Sequence, residues 1–200
     1  MQWDRLFEDL EDQLASGWEA ERAALNAESE RLRIARLELR DRLAAMASSG
    51  ASVALTLRDS TTLNGRIRGV GGDWVALEQS TVPVLVIVPT AAVLAWGVDH
   101  PTLLSSGMPS EGLSTLRERM TLGFILRDLA RRRVGVTLRV SASQILTGTI
   151  DRAGADHLDL ALHDLDQPRR SSAVRGFRVV PFAAVISVVA ERAALDTVLD

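Results

Sequence analysis

The sequence predicts an α+β fold: a long N-terminal helix followed by two copies of a unit made of a helix and then a five-stranded small barrel. Three observations carry this. Shifting the chain by 83 positions lays residues 53–77 onto 136–160 without a gap. Within each copy apolar and polar residues alternate, the period-two pattern of half-buried strands. Ahead of the first copy, Trp18, Leu25, Leu32, Leu39 and Met46 recur every seven residues, as on one face of a helix. The expected organisation is an N-terminal helix over 1–48, a first barrel over 50–98 and a linker over 99–109. A connecting helix over 110–133, a second barrel over 134–190 and a tail over 191–200 complete it.

The helix comes first. Leu10, Leu14, Leu37 and Leu43 widen its apolar stripe, and Ser48-Ser49-Gly50 supplies a C-terminal stop. Unbroken at Gly17, it would run roughly 45 residues, about 65 Å at the rise of an α-helix. Part of it should therefore protrude or pair with a second copy. Glu21, Glu28 and Arg42 fill the other seam positions, which a strong zipper would not tolerate. At the start, Asp4, Glu8, Asp9, Glu11 and Asp12 surround Trp3, Leu6, Phe7 and Leu10. Carboxylates at the positive end of a helix dipole explain the pattern plainly. A docking helix for a basic groove, or the head of a dimeric coiled coil, explains it functionally.

The repeat defines the strands. Val53/Val136, Leu55/Leu138, Ser60/Ser143, Leu63/Leu146, Gly65/Gly148, Ile67/Ile150, Gly71/Gly154, Asp73/Asp156 and Leu77/Leu160 are paired identities. After a nine-residue insertion the match resumes, with Val88-Pro89-Thr90-Ala91-Ala92-Val93 against Val180-Pro181-Phe182-Ala183-Ala184-Val185. Gly71-Gly72-Asp73 is a turn signal. Leu158, Leu160 and Leu162 should face inward, with His157, Asp159, Ala161 and His163 outward. Five short strands per copy suit a closed barrel, which leaves no exposed edge. The connecting helix should bury Leu113, Leu116, Met120, Phe124 and Leu129 and end at Arg131, Arg132 and Arg133, where cations offset the dipole.

The skeleton Val136-x-Leu138-x-Val140, Leu146-x-Gly148-x-Ile150, Asp156-x-Leu158-x-Leu160, Arg175-Gly176 and Val185-Ile186 resembles the Sm-like family. The first copy repeats it as Val53-x-Leu55, Leu63-x-Gly65-x-Ile67 and Asp73-Trp74-Val75-x-Leu77. The likeness covers about half the chain and is shared by other small barrels, including those of the PRC-barrel and ribosome-maturation type. It implies RNA binding. Yet Pro181-Phe182-Ala183 and Pro89-Thr90-Ala91 stand where the bacterial members place a basic-aromatic-histidine site, and only Phe182 offers a ring for stacking on a base.

Composition bounds the function. The chain is 46% hydrophobic and 24% charged, with a net charge of −3, and reads as ordinarily globular without a wholesale electrostatic grip on nucleic acid. It has no cysteine, which excludes disulfides and thiolate chemistry. All 23 basic residues are arginine, a signature of GC-rich coding. The acidic start reads as no secretory signal, and the apolar stretch 82–98 holds two prolines and is too short for a bilayer-spanning helix. A bacterial, cytoplasmic protein without membrane contact is expected. Phosphate loops, nucleophile elbows and paired catalytic carboxylates are missing, so the reading is non-enzymatic, with no catalytic residue, cofactor or metal. The nearest metal-like pattern, Asp156-His157-x-Asp159-x-x-x-His163, spaces its histidines about 20 Å apart along a strand.

Two surfaces are candidates. Arg131, Arg132, Arg133, Arg169, Arg170, Arg175 and Arg178, with Phe182, could form a basic face for RNA, less readily DNA. Asp164 and Asp166 in the same loop favour local pairing instead. Trp3, Phe7 and Leu10 of the helix, with Leu85, Ile87, Leu94 and Trp96, form the candidate protein interface. Val84-Leu85-Val86-Ile87-Val88 and Val93-Leu94-Ala95-Trp96 are apolar on both faces, so something must cover the outer one. Packing of the two barrels across these strands is the expectation. The function expected is thus a scaffolding or binding module with a protein partner of unknown identity, open to homodimerisation through the N-terminal helix. RNA binding is the alternative.

Overall fold

The computed structural model describes residues 2–81, 84–108, 119–165 and 173–199, with side chains at Leu14, at 17–19 and from 21 through 195 of these. The chain divides into two units, Met1–Leu39 and Arg40–Asp200. The first is essentially α1, Gln2–Ala35, which passes through Gly17 without a break. The single helix expected over 1–48 is instead two. Arg36 and Leu37 turn back onto the carbonyls of Arg33 and Ile34, and α2 begins at Leu39 and runs to Ser49. Gly50 then takes a left-handed φ of 66°, and the Ala51 N–H closes on the Met46 carbonyl.

Among the described residues the second unit holds ten strands. The first five are β1 (Ser52–Leu57), β2 (Thr62–Val70), β3 (Trp74–Gln79), β4 (Leu85–Pro89) and β5 (Val93–Gly97). A short helix α3 (His100–Ser105) and α4 (Leu122–Arg131) lie between the halves in sequence. The second five are β6 (Gly135–Arg139), β7 (Ile145–Ala153), β8 (His157–Leu162), β9 (Gly176–Pro181) and β10 (Ser187–Ala190), followed by α5 (Arg192–Leu199).

The strands form one open antiparallel sheet in the order β5-β1-β2-β3-β4-β10-β6-β7-β8-β9. This corrects the expected fold class: two separate closed barrels are not what the chain builds. The reason is the partner of β4. Its hydrogen-bonding edge is taken by β10, with Val188 opposite Ile87 and Val189 opposite Val86, and its own fifth strand pairs with β1 instead. The halves are thereby joined edge to edge, and β5 and β9 become the ends of the sheet.

The internal repeat survives in the geometry. β2 slips register against β3 between Ile67 and Gly69, and β7 slips against β8 at the equivalent place, between Ile150 and Arg152. A Cβ on Gly65 would overlap the Glu78 carbonyl, and one on Gly148 would overlap that of Ala161. The repeated glycine is therefore demanded by the close approach of two backbones at a bend.

Two cores lie in this unit. One gathers Leu43 and Met46 of α2 with Val53, Leu55, Ile67, Leu77, Val86 and Val88. The other gathers Leu122, Ile125, Leu126 and Leu129 of α4 with Trp74, Leu85, Ile87, Val136, Leu160 and Val188. Alternate residues of β4 thus serve different cores, which explains a strand apolar on both faces. Ile186 of the second half packs into the first core, and Trp74 of the first half into the second.

Several expectations are corrected here. Phe124 is half exposed, because α4 starts at Leu122 and turns Leu122, Ile125, Leu126 and Leu129 inward instead. The start is set across the halves: the Asp73 carboxylate accepts the Leu122 N–H at 2.6 Å. Leu113 and Leu116 lie outside the described residues. Ala161 and His163 are buried, not outward. The linker contains α3, whose Asp99 side chain caps the Thr102 N–H at 2.7 Å. The tail is helical as α5, and its Leu195 is buried in the second core.

Candidate protein-interaction site

Trp18 and Leu25 of α1 are 67% and 65% exposed, and Leu14 and Leu32 are exposed as well. At 100° per residue the four positions fall within about 40° of one another around the helix axis. Charged residues flank the stripe, and Arg31 with Glu28 and Arg33 with Glu30 pair along the helix surface. The Arg33 guanidinium holds the Glu30 carboxyl below the usual carboxylate range by hydrogen bonding. A contiguous apolar line with a charged border is the surface a second amphipathic helix reads at i, i+4 and i+7. Trp3, Phe7 and Leu10 fall in the part of α1 whose side chains lie outside the described ones.

The strand residues expected at the interface separate into two groups. Leu85 and Ile87 are buried inside the chain, under α4 and β10, so they build the junction of the halves and no outer surface. Leu94 is exposed on β5, and Trp96 is half-buried against the first core. Phe177 and Val179 of β9 are also exposed, and sequence reasoning missed them. Arg175 and Arg178 on either side made that strand read as basic. The available signal was the repeat, which lays Phe177 and Val179 onto Leu85 and Ile87.

The expected basic face is largely neutralised within the chain. Arg131 and Arg132 both hold Asp128, each at 2.6 Å. Burial pushes the Asp128 carboxyl up, but hydrogen bonds and charge from the two guanidiniums outweigh it and leave the group below its ordinary range. Arg132 also donates to the Ala194 carbonyl at 2.5 Å. Arg133 reaches Asp151 at 3.0 Å, and Arg175 reaches Asp164 at 2.9 Å. Arg178 donates to the Phe177 carbonyl. Phe182 is partly buried and packed against the second core. Arg169 and Arg170 lie outside the described residues.

The histidines take structural parts. His163 is buried, its Nδ1 donating to the Asp164 carbonyl at 2.9 Å and its Nε2 2.7 Å from the Thr149 hydroxyl. A carbonyl oxygen only accepts, so Nδ1 carries the hydrogen of that bond. His157 meets Asp156 at 2.8 Å on the surface, and the bond holds the Asp156 carboxyl below its usual range. Among the described residues no group of three His, Asp or Glu side chains is gathered to hold a metal ion, and no helix is long and apolar enough to cross a membrane.

No protein-family model and no curated protein matches the chain.

Proposed function

We propose that the protein is a non-enzymatic scaffolding module of the bacterial cytoplasm, presenting the apolar stripe of α1 to an amphipathic helix of a partner protein. The observation that carries this reading is the exposed line of Leu14, Trp18, Leu25 and Leu32. Fully burying such side chains is worth about 1.5–3 kcal/mol each, enough for a stable helix pair. The strand unit would serve as the body that carries the helix. Nucleic-acid binding is less favoured, because the described guanidiniums at Arg131, Arg132, Arg133 and Arg175 are already held by carboxylates.

The test places a photo-crosslinking amino acid at position 25 of the full chain in cells. The expected result is a discrete protein adduct that disappears when Trp18 and Leu32 are changed to Glu. No adduct, or adducts indifferent to those changes, would overturn the reading.

A further inference from the structure

We propose that the helix received by the α1 stripe is α1 of a second copy of this chain, laid parallel and in register. The proposal rests on the stripe reading above and names its occupant.

The stripe is built as one side of a coiled coil. Trp18, Glu21, Arg22 and Leu25 stand at i, i+3, i+4 and i+7 of α1 and line a hollow on its surface. Four residues at that spacing form the hole that receives a side chain of a facing helix. Leu25, Glu28, Ser29 and Leu32 repeat the arrangement one heptad on, all of them exposed. The spacing of seven from Trp18 through Leu32 suits two copies in particular, because equal residues then meet at equal heights along the pair.

The borders of the stripe choose the occupant and its direction. At 100° per residue Glu21 and Glu28 lie about 40–60° to one side of Leu25, and Arg22 and Arg33 about 60–80° to the other. One border is thus acidic and the other basic. Two copies laid parallel about a two-fold axis face unlike borders. Glu21 of each then meets Arg22 of the other, and Glu28 of each faces Arg33 of the other, five residues on. Laid antiparallel about Leu25, the copies face like borders, and Glu21 meets Glu28, two carboxylates side by side. Ion pairs among the described residues of α1 join Glu28 to Arg31 and Glu30 to Arg33, while Glu21 and Arg22, both exposed, take part in neither. They are the pair that a second copy satisfies, and the two-fold satisfies it twice. An arginine in the seam costs stability and in return fixes register, as polar residues at such positions do.

Sedimentation equilibrium on the full chain over a wide range of concentrations tests this. The wild type should pass from the 21.7 kDa monomer to a dimer and no further, because a two-fold pairing closes. Arg22→Glu and Glu21→Arg should each raise the dissociation constant about tenfold, since the two-fold counts every change twice. The double variant, Glu21→Arg with Arg22→Glu, should restore the wild-type constant. Both positions are exposed, so the melting temperature of the strand unit should not move. Leu32→Cys, mildly oxidised, should link to itself, whereas Trp18→Cys mixed with Leu32→Cys should give no mixed disulfide. A chain that stays monomeric, a double variant as weak as either single one, or a mixed disulfide between positions 18 and 32 would overturn the inference. A monomeric chain that still yields an adduct with a different protein at position 25 excludes the second copy and leaves the stripe reading standing. A monomeric chain that yields no adduct overturns both.

Discussion

Ile186 and Leu94 hold the same place in the two halves of the molecule, yet Ile186 is 2% exposed and Leu94 69%. Ile186 directly precedes β10, and Leu94 lies within β5. Ile186 is buried because the first half lies beside it. Among the described residues Leu94 has no such neighbour.

That difference predicts opposite responses to one substitution. Ile186→Asp should destabilise the chain by about 3–5 kcal/mol, since a charge would be buried in an apolar core. Leu94→Asp should change stability by no more than about 0.5 kcal/mol. Urea unfolding of both variants, followed by circular dichroism, checks the pair.

The bend glycines give a second prediction. Gly65→Ala and Gly148→Ala should each cost about 1–3 kcal/mol, because the added methyl meets a neighbouring strand's carbonyl in both halves. Gly17→Ala, in α1 with nothing near its would-be Cβ, should instead favour the helix by about 0.5–1 kcal/mol. Thermal melts read the first two, and helical ellipticity reads the third.

The grip on α4 is a third. Asp73→Ala removes the acceptor of the Leu122 N–H and should cost about 1–2 kcal/mol. Trp74→Phe keeps most of the buried ring and leaves the Met120 carbonyl with the Gly72 N–H alone, for a cost of about 0.5–1.5 kcal/mol. Asp156→Ala, in the counterpart position on the surface, should be near neutral in the monomer. Denaturation midpoints measured on dilute samples distinguish these.

Acid should act through Asp128. Its carboxyl lies below the ordinary carboxylate value when folded, so the folded state binds its proton less readily than the unfolded chain. The stability it contributes is fully present above the unfolded value of about 4 and is lost as pH falls through the lower folded value. Asp128→Asn should accordingly flatten the fall in urea midpoint on the acid side while leaving its shape near neutrality unchanged.

The duplication and the strands were legible because alternation and paired identities report local structure; the slip of β2 on β3 was not. Which strand closes on which was not. A run such as Val84-Leu85-Val86-Ile87-Val88 says that both faces are covered, and packing between the halves followed from it. Its hydrogen-bonding edge lies in the plane of the sheet, however, and no side-chain pattern names the partner there. Expected barrels thus became one open sheet. The phase of α4 was misjudged for a related reason. Asp73, distant in sequence, sets where that helix begins, and Phe124 turned outward as a result. Phe177 and Val179 were hidden among arginines, although the repeat already marked their positions.

The central claim is that the two halves of the chain share one sheet, joined where β10 pairs with β4. Cysteine pairing tests it most directly, since the chain contains no cysteine of its own. Ile87→Cys and Val188→Cys introduced together and mildly oxidised should give a disulfide within one chain. Facing residues of an antiparallel pair bring Cα atoms to about 4.5–5.5 Å, within reach of a disulfide. Thiols that stay free after oxidation, or cross-links that form between chains and not within one, would contradict the account.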